Sequence, residues 1–404
     1  MTTAQSFLFF LILLGAAATM LRLVSRTTPT VPYPVLLALG GILIGLVPGL
    51  KLPAVGPDLI LLAFVPGLVF EASLAIDLAE MWRRVVPISL LATVGVFLTV
   101  AVVGVPAHFG LGLDWASAVL LGAIVATTDP IAVVNLLRQV GAPAGLKAIL
   151  EGESLFNDGT GVAVFVAVLG TILAGHPSPL DASLRFLFVT GVGIAIGLGA
   201  GAAGELLLRL AREAELEIMV TLVVAYGSYL AADVVGASGV VSVVTAGIVV
   251  ARYGSRTGRL KGTQLIGFWN LLAFVLNAVL FLMVGVALPT QRLVSVAGLA
   301  LGAYAIMFVA RAIPVYTLLG VADVRGASIP WRWRHMTFWG GLRGALSVAL
   351  ALSVASNPQV DPRVSVLAYG MVVLSLIVQG GLLLPVADLL GLRAGQDAEG
   401  APNR

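Results

Sequence analysis

Along the chain, apolar runs about 20 residues long alternate with short polar stretches. SFLFFLILLGAAATMLRLVS, near the start, is followed by PVLLALGGILIGLVPGL, and comparable runs recur up to Leu392. They do not alternate residue by residue, so they read as membrane helices and not as strands of a spanning β-barrel. Charges and Pro/Gly breaks divide them into thirteen segments, at 6–24, 34–50, 57–76, 85–106, 115–137, 147–174, 186–208, 214–232, 236–251, 264–288, 293–320, 335–356 and 364–390. No stretch between or after them is long enough for a soluble domain. Residues 1–392 therefore read as a single transmembrane domain, and 393–404 as a short polar tail, expected to be disordered. The first segment has no basic residue ahead of it and a second apolar run close behind, so it reads as a first helix in preference to a cleaved leader.

Composition agrees. Of 404 residues, 59% are hydrophobic and 11% charged, against about a quarter charged in an ordinary soluble domain. The 47 glycines suit helices that approach closely in a bilayer. With no cysteine there is no disulfide or thiol chemistry, and His108, His176 and His335 are too scattered for an imidazole metal site. The net charge of +3 does not indicate a nucleic-acid partner, because the basic residues fall mostly in short loops. Loops after odd-numbered segments carry seventeen of the 23 lysines and arginines, among them Arg22, Arg83, Arg84, Arg138, Lys147, Arg256, Arg332 and Arg334. The other side carries four, Lys51, Arg185, Arg292 and Arg363. The positive-inside rule then predicts an N-terminus outside and a C-terminus in the cytoplasm.

Ionisable residues clear of the segment ends are few: Glu71, Asp129, Glu153, Asp158, Arg311 and Arg343. Each costs at least about 2.5–3.5 kcal/mol at the bilayer centre unless paired or used. Buried ion pairs holding the bundle together are one reading, but four carboxylates and two guanidiniums do not pair off evenly. In the sixth segment, Ser154 and Asp158 are four residues apart, with Asn157 beside them, which puts three oxygen-bearing side chains on one helix face. Glu153 and Asn157 have the same spacing on a face turned towards a neighbour. Oxygen ligands without sulfur or imidazole suit a hard cation.

The fifth segment contains ATTDPIAVV, in which Pro130 breaks the helix immediately after Thr127, Thr128 and Asp129. Free carbonyls at the break can face a cation, and Asp129 can cap the following half-helix. The twelfth contains FWGGLRGALSVALAL, with three glycines around Arg343, again suggesting unwound or closely crossed backbone. Seven segments separate the two breaks, so the second half is inverted relative to the first. The predicted fold class is an all-α polytopic membrane protein with about 13 transmembrane helices. It forms two inverted-topology repeats with interrupted, crossing helices at spans 5 and 12, the pattern of a secondary transporter with a midplane site.

GAIVATTDPIAVV, EGESLFNDGTGVAVF and FWGGLRGALSVALAL, in this order, resemble the CPA1-branch monovalent cation/proton antiporters, the prokaryotic sodium/proton antiporters related to the NHE exchangers. The resemblance covers essentially the whole chain. It implies a homodimer in a bacterial or archaeal cytoplasmic membrane, with a core around spans 4–6 and 11–13 and a dimerisation part around spans 1–3 and 8–10. It implies that Asn157 and Asp158 match the family's ND motif, Asp158 being the shared sodium and proton site. Thr128 and Asp129 match the unwound-helix pair, Ser154 a direct ion ligand, and Glu71 an acid that reaches the ion in some members. Glu153 and Arg311 resemble a structural ion pair, and Arg343 the charge at the helix crossing. No cofactor is implied. Na+ and H+ are substrates, and lipid is the surrounding partner.

The chemistry these residues offer is competition. A carrier that crosses only when Asp158 is neutralised, by a proton or by Na+ (or Li+), exchanges one for the other without further coupling machinery. Asn157 does not titrate and Arg311 would hold Glu153 ionised, so one proton per Na+ and an electroneutral cycle are expected, the count rising to two if Glu71 titrates in step with Asp158. K+/H+ exchange on the same fold is the alternative. A cation channel would call for a repeated carbonyl filter, which is not evident. An intramembrane hydrolase using Ser154 would lack a partner histidine inside the membrane, His335 standing only at the start of the twelfth segment.

Overall fold

The structure is a computed structural model, describing residues 3–27, 33–47, 60–129, 131–175, 178–211, 213–257, 264–286, 297–355 and 357–392. Pro130, His176, several loop lysines and arginines, and the tail at 393–404 lie outside the described residues. Among the described residues every regular element is helical, and the described parts of the predicted segments lie mainly on helix, apart from the breaks at 127–129 and 341–344.

The first half comprises α1 (Thr3–Thr27), α2 (Tyr33–Gly45), α3 (Val65–Ala75) with a π-turn at Ile60–Phe64 ahead of it, α4 (Leu78–Arg83), α5 (Val85–Leu111), α6 (Trp115–Ala126), α7 (Ile131–Gln139) and α8 (Ala144–Leu173). Then follow α9 (Pro179–Leu210), α10 (Ala214–Val234), α11 (Gly239–Thr257), α12 (Gln264–Val286), α13 (Ala297–Ala322), α14 (Trp331–Trp339), α15 (Ala345–Ser353) and α16 (Arg363–Leu389). Seven of these, α5, α8, α9, α10, α12, α13 and α16, are long and apolar enough to cross a membrane.

The predicted fifth and twelfth spans are each two short helices. At 12 residues α6 rises about 18 Å, too little to cross a hydrocarbon core alone. Asp114 caps its start by accepting from the Ser117 N–H at 2.9 Å. It stops at Thr127, which is extended with φ −65° and ψ 140°. The small helix α4 leaves no mark in the hydrophobic pattern. Its signal is polar: Asp77 accepts from the amides of Ala79 and Glu80 at 2.9 and 3.2 Å.

Helix packing falls into two groups. In one, α2 lies along α12, α1 against both, and α11 against α3, α9 and α10. In the other, α5 packs on α6 and α13, α8 on α6, and α16 on α6, α13 and α15. Small residues bring α9 and α11 together: Cβ atoms added at Gly193 or Gly201 would meet the Ser238 carbonyl at 3.0 Å and the Ala246 carbonyl at 3.1 Å. The long helix α8 touches both groups, through α5 and α6 on one side and α9 and α11 on the other.

Contacts among the loops sort them into two ends. Arg84 donates to the carbonyls of Ala327 and Ser328 and lies 5.3 Å from the Trp333 ring centre. This brings together the connections after the third and eleventh segments. At the other end, Arg363 donates to the carbonyls of Leu111 and Gly112 at 2.8 and 3.0 Å, joining the connections after the fourth and twelfth.

Candidate functional site

The two breaks meet. The Asp129 amide donates to the Leu342 carbonyl at 2.8 Å, so the unwound strands at Thr127–Asp129 and Gly340–Gly344 pair by backbone where they cross. Two glycines make this approach possible. A Cβ at Gly344 would overlap the Cβ and carboxylate of Asp129, and one at Gly341 would fall on the Arg311 guanidinium. Asp129 therefore lies against the residue that precedes α15, at the positive end of a half-helix from the opposite repeat.

Arg343 serves the other broken end. Its side chain is 1% exposed and donates to the carbonyls of Ala126 and Thr127, both at 3.2 Å. Those are orphan acceptors at the C-terminus of α6, the negative end of its dipole. The Thr127 hydroxyl is 2.8 Å from that of Ser347, a second tie across the crossing. Sequence reasoning singles out neither Ser347 nor a role for Thr127 in the crossing. Isolated hydroxyls in an apolar segment are the available signal.

On α8, consecutive turns carry the polar residues. Ser154 donates to the Thr128 carbonyl. The Asn157 amide nitrogen donates to the Thr128 hydroxyl at 2.7 Å and to Glu153 Oε1 at 3.2 Å, while its oxygen accepts from the Thr128 amide at 3.3 Å. Asn157 is thus committed to holding the unwound strand against α8. Glu153 is engaged by Arg311, whose two terminal nitrogens donate to its two oxygens at 2.5 and 2.7 Å and to the Thr337 carbonyl at 3.0 Å. Both residues of this pair are buried.

Asp158 is different. It is half-buried, yet its Oδ1 is buried without any hydrogen-bond partner in the protein. The charged groups acting on it are Asp129, Glu153 and Arg343, and the Thr128 amide lies towards its carboxylate. One carboxylate oxygen of Asp158 is thus uncommitted, one turn along α8 from Ser154, which bonds the unwound strand at Thr128.

On α3, Glu71 is half-buried, and the charges acting on it are those of Arg138 and Glu151. Arg138 on α7 bonds Glu151 Oε1 on α8 at 2.9 Å.

Residues 10–389 match the family model described as sodium/hydrogen exchanger, transmembrane. The chain belongs to the sodium/hydrogen exchanger family. Among relatives in that family, it is 35% identical over 368 residues to the Na+/H+ antiporter ApNhaP of Aphanothece halophytica, covering 90% of this chain and 70% of that one. It is 34% identical over 350 residues to the Na+/H+ antiporter NhaP of Pseudomonas aeruginosa, covering 83% and 81%. The fold is similar to that of the sodium proton antiporter MjNhaP1 from Methanocaldococcus jannaschii, with a TM-score of 0.78 at 20% identity, over 96% of this chain and the whole of that one. A sodium/hydrogen exchanger fold with crossed, interrupted helices is what the TTDP, ESLFND and GGLRG segments predict.

Proposed function

We propose that this protein is a secondary antiporter that moves Na+ (or Li+) against H+ through a single carboxylate site at Asp158. The observation that carries the reading is the buried, unpartnered Oδ1 of Asp158 beside a crossing of two broken helices. A buried carboxylate oxygen left without a donor is costly, and a bound proton or a desolvated cation relieves that cost equally well. Ser154 and Thr128 supply further oxygens for the cation, and Asp129 adds negative potential from the same unwound strand as Thr128. The names of relatives in the family, Na+/H+ antiporters, point to the same substrates.

Coupling follows from exclusive occupancy. The empty site carries a charge that resists passage through a dry barrier, so the two helix groups reorient around it only when a proton or Na+ is bound. Both oxygens of Glu153 are already held, by Arg311 and Asn157. Asn157 does not titrate, and Glu71 on α3 is the one further acid that would raise the count to two if it changed protonation in step with Asp158. The stoichiometry we infer is one proton per Na+, with no term in membrane potential. The charge bias of the loops supports an N-terminus outside and a C-terminus in the cytoplasm of a bacterial or archaeal membrane. The family resemblance supports a homodimer formed through the group containing α1–α3 and α10–α12.

The test is transport by reconstituted protein in vesicles clamped at several potentials with K+ and valinomycin, with Na+ and Li+ each set against a fixed pH gradient. Na+ flux with a reversal point independent of voltage is the expected result. A reversal point that moves with voltage overturns one-for-one exchange. A separate K+ arm without valinomycin, in which K+ alone dissipates the pH gradient, would replace Na+ by K+ as substrate.

A further inference from the structure

The second half of the molecule contains a counterpart of the Ser154 and Asp158 arrangement. On α8, Ser154 bonds the broken strand of its own half and Asp158 stands four residues on. On α16, Ser375 accepts from the Arg343 amide at 3.1 Å and donates to Gln379 Oε1, again four residues on, at 2.8 Å. In each half, the helix after the break brings a serine to the unwound backbone. The first half follows it with a carboxylate and the second with a neutral carboxamide. Ser375 and Gln379 are fully buried, at 0% and 1% exposure. Polar side chains in such a place persist when they satisfy a partner. The stretch Ser375–Gly380 is also a π-turn within the otherwise α-helical α16, a local widening often found at functional sites.

We propose that Ser375 and Gln379 are positioning residues for the ion site, acting through Arg343. Gln379 orients the Ser375 hydroxyl so that its lone pair faces the Arg343 N–H. That contact fixes the unwound strand at Arg343, whose guanidinium holds the Ala126 and Thr127 carbonyls. Thr128, the next residue, presents its hydroxyl and carbonyl to α8. The strand carrying Thr128 is therefore held from two sides: from α8 by Ser154 and Asn157, and from α16 by Ser375 through Arg343. A carboxamide at the second position gives α16 the same grip as a carboxylate without adding a rival negative charge near Arg343.

The inference rests on the reading of Asp158 as the ion site, and one arm of its test does not. That arm is hydrogen exchange of the segment 340–347 in wild-type protein and in Ser375→Ala, Ser375→Thr and Gln379→Leu, each in lipid nanodiscs. Ser375→Ala leaves the Arg343 N–H buried without an acceptor and should speed exchange of this segment. Gln379→Leu should do so less, and Ser375→Thr should restore protection. Exchange unchanged in Ser375→Ala overturns the positioning role, whether or not the protein transports Na+. The second arm is kinetic. In vesicles, Ser375→Ala should raise the KM for Na+ by about 2- to 12-fold, the equivalent of one lost hydrogen bond, with maximal rate little changed and recovery in Ser375→Thr. Faster exchange of 340–347 with an unaltered KM overturns the link to the ion site. Absence of Na+/H+ exchange by the wild type fails the proposed function and leaves the exchange arm to decide the structural claim.

Discussion

Arg311 on α13 grips Glu153 on α8 with both terminal nitrogens, across 158 residues of sequence, in a site closed to solvent. The same carboxylate accepts from Asn157, so the pair ties three helical elements together: α8, α13 and, through the Thr337 carbonyl, α14. Breaking one side strands an uncompensated charge, at a cost of about 3–5 kcal/mol. Glu153→Ala and Arg311→Ala should each melt well below wild type in detergent, with reduced yield. Wild-type melting combined with loss of transport would make the pair part of the transport chemistry instead.

Asp158→Asn should do the reverse. It replaces a carboxylate that has an unpartnered oxygen by a neutral group of the same shape, so folding is preserved and melting is at or above the wild-type temperature. Na+-driven proton movement in vesicles should be lost. Residual exchange near the wild-type rate would place the ion site elsewhere.

Gly344→Ala tests the crossing. The new methyl group would overlap Asp129, and the two strands are tied there by the Asp129 to Leu342 hydrogen bond. Overpacking of this kind costs about 1–3 kcal/mol, and the strain falls on the strand beside Asp158. A lowered melting temperature and a transport rate reduced by roughly tenfold or more are expected, 1.4 kcal/mol in a barrier being about a factor of ten. Alanine at Gly298, where nothing lies within 4 Å, is the control and should behave as wild type.

At the opposite end from the Arg84 cluster, the Arg363 guanidinium and its backbone amide hold the Asp361 carboxyl below the usual carboxylate range. A depressed folded-state value means that the stabilisation is present above the ordinary carboxylate range and is lost as pH falls through the depressed value. Arg363 also holds the Leu111 and Gly112 carbonyls, so acid should loosen the link between the fourth and twelfth connections. Asp361→Asn should lower the melting temperature above about pH 6, leave it close to wild type in acid, and so flatten the acid limb of the profile. An acid limb identical to wild type would show that Asp361 carries none of it.

Much of this is legible in the chain itself. Insertion into a bilayer is scored segment by segment, as a sum over about 20 consecutive residues, so the positions of the helices follow from local composition. A charge inside such a segment is costly wherever it points, which is why Glu71, Asp129, Glu153, Asp158, Arg311 and Arg343 stand out from the hydropathy pattern alone. Helical spacing adds that Ser154 and Asp158 share a face, and Pro130 with the GGLRG glycines marks where helix gives way to strand.

Tertiary structure alone decides which of these groups meet. The TTDP break suggests Asp129 as a cap for its own second half-helix, and the fold sets it against Gly344 of the other repeat. Thr127, Ser347, Ser375 and Gln379 carry no charge and leave no mark in a hydropathy profile, yet they hold the crossing. The physical reason is that the transfer free energy of a side chain depends on its own type and depth. A hydrogen bond or ion pair depends instead on the relative rotation and register of two helices, which small residues and close contacts along their whole length set together. Asp158 is conspicuous in the chain as an acid in an apolar segment. That its Oδ1 is left without a hydrogen-bond partner, while both oxygens of Glu153 are claimed by Arg311 and Asn157, is decided only by the packing of α8 against its neighbours.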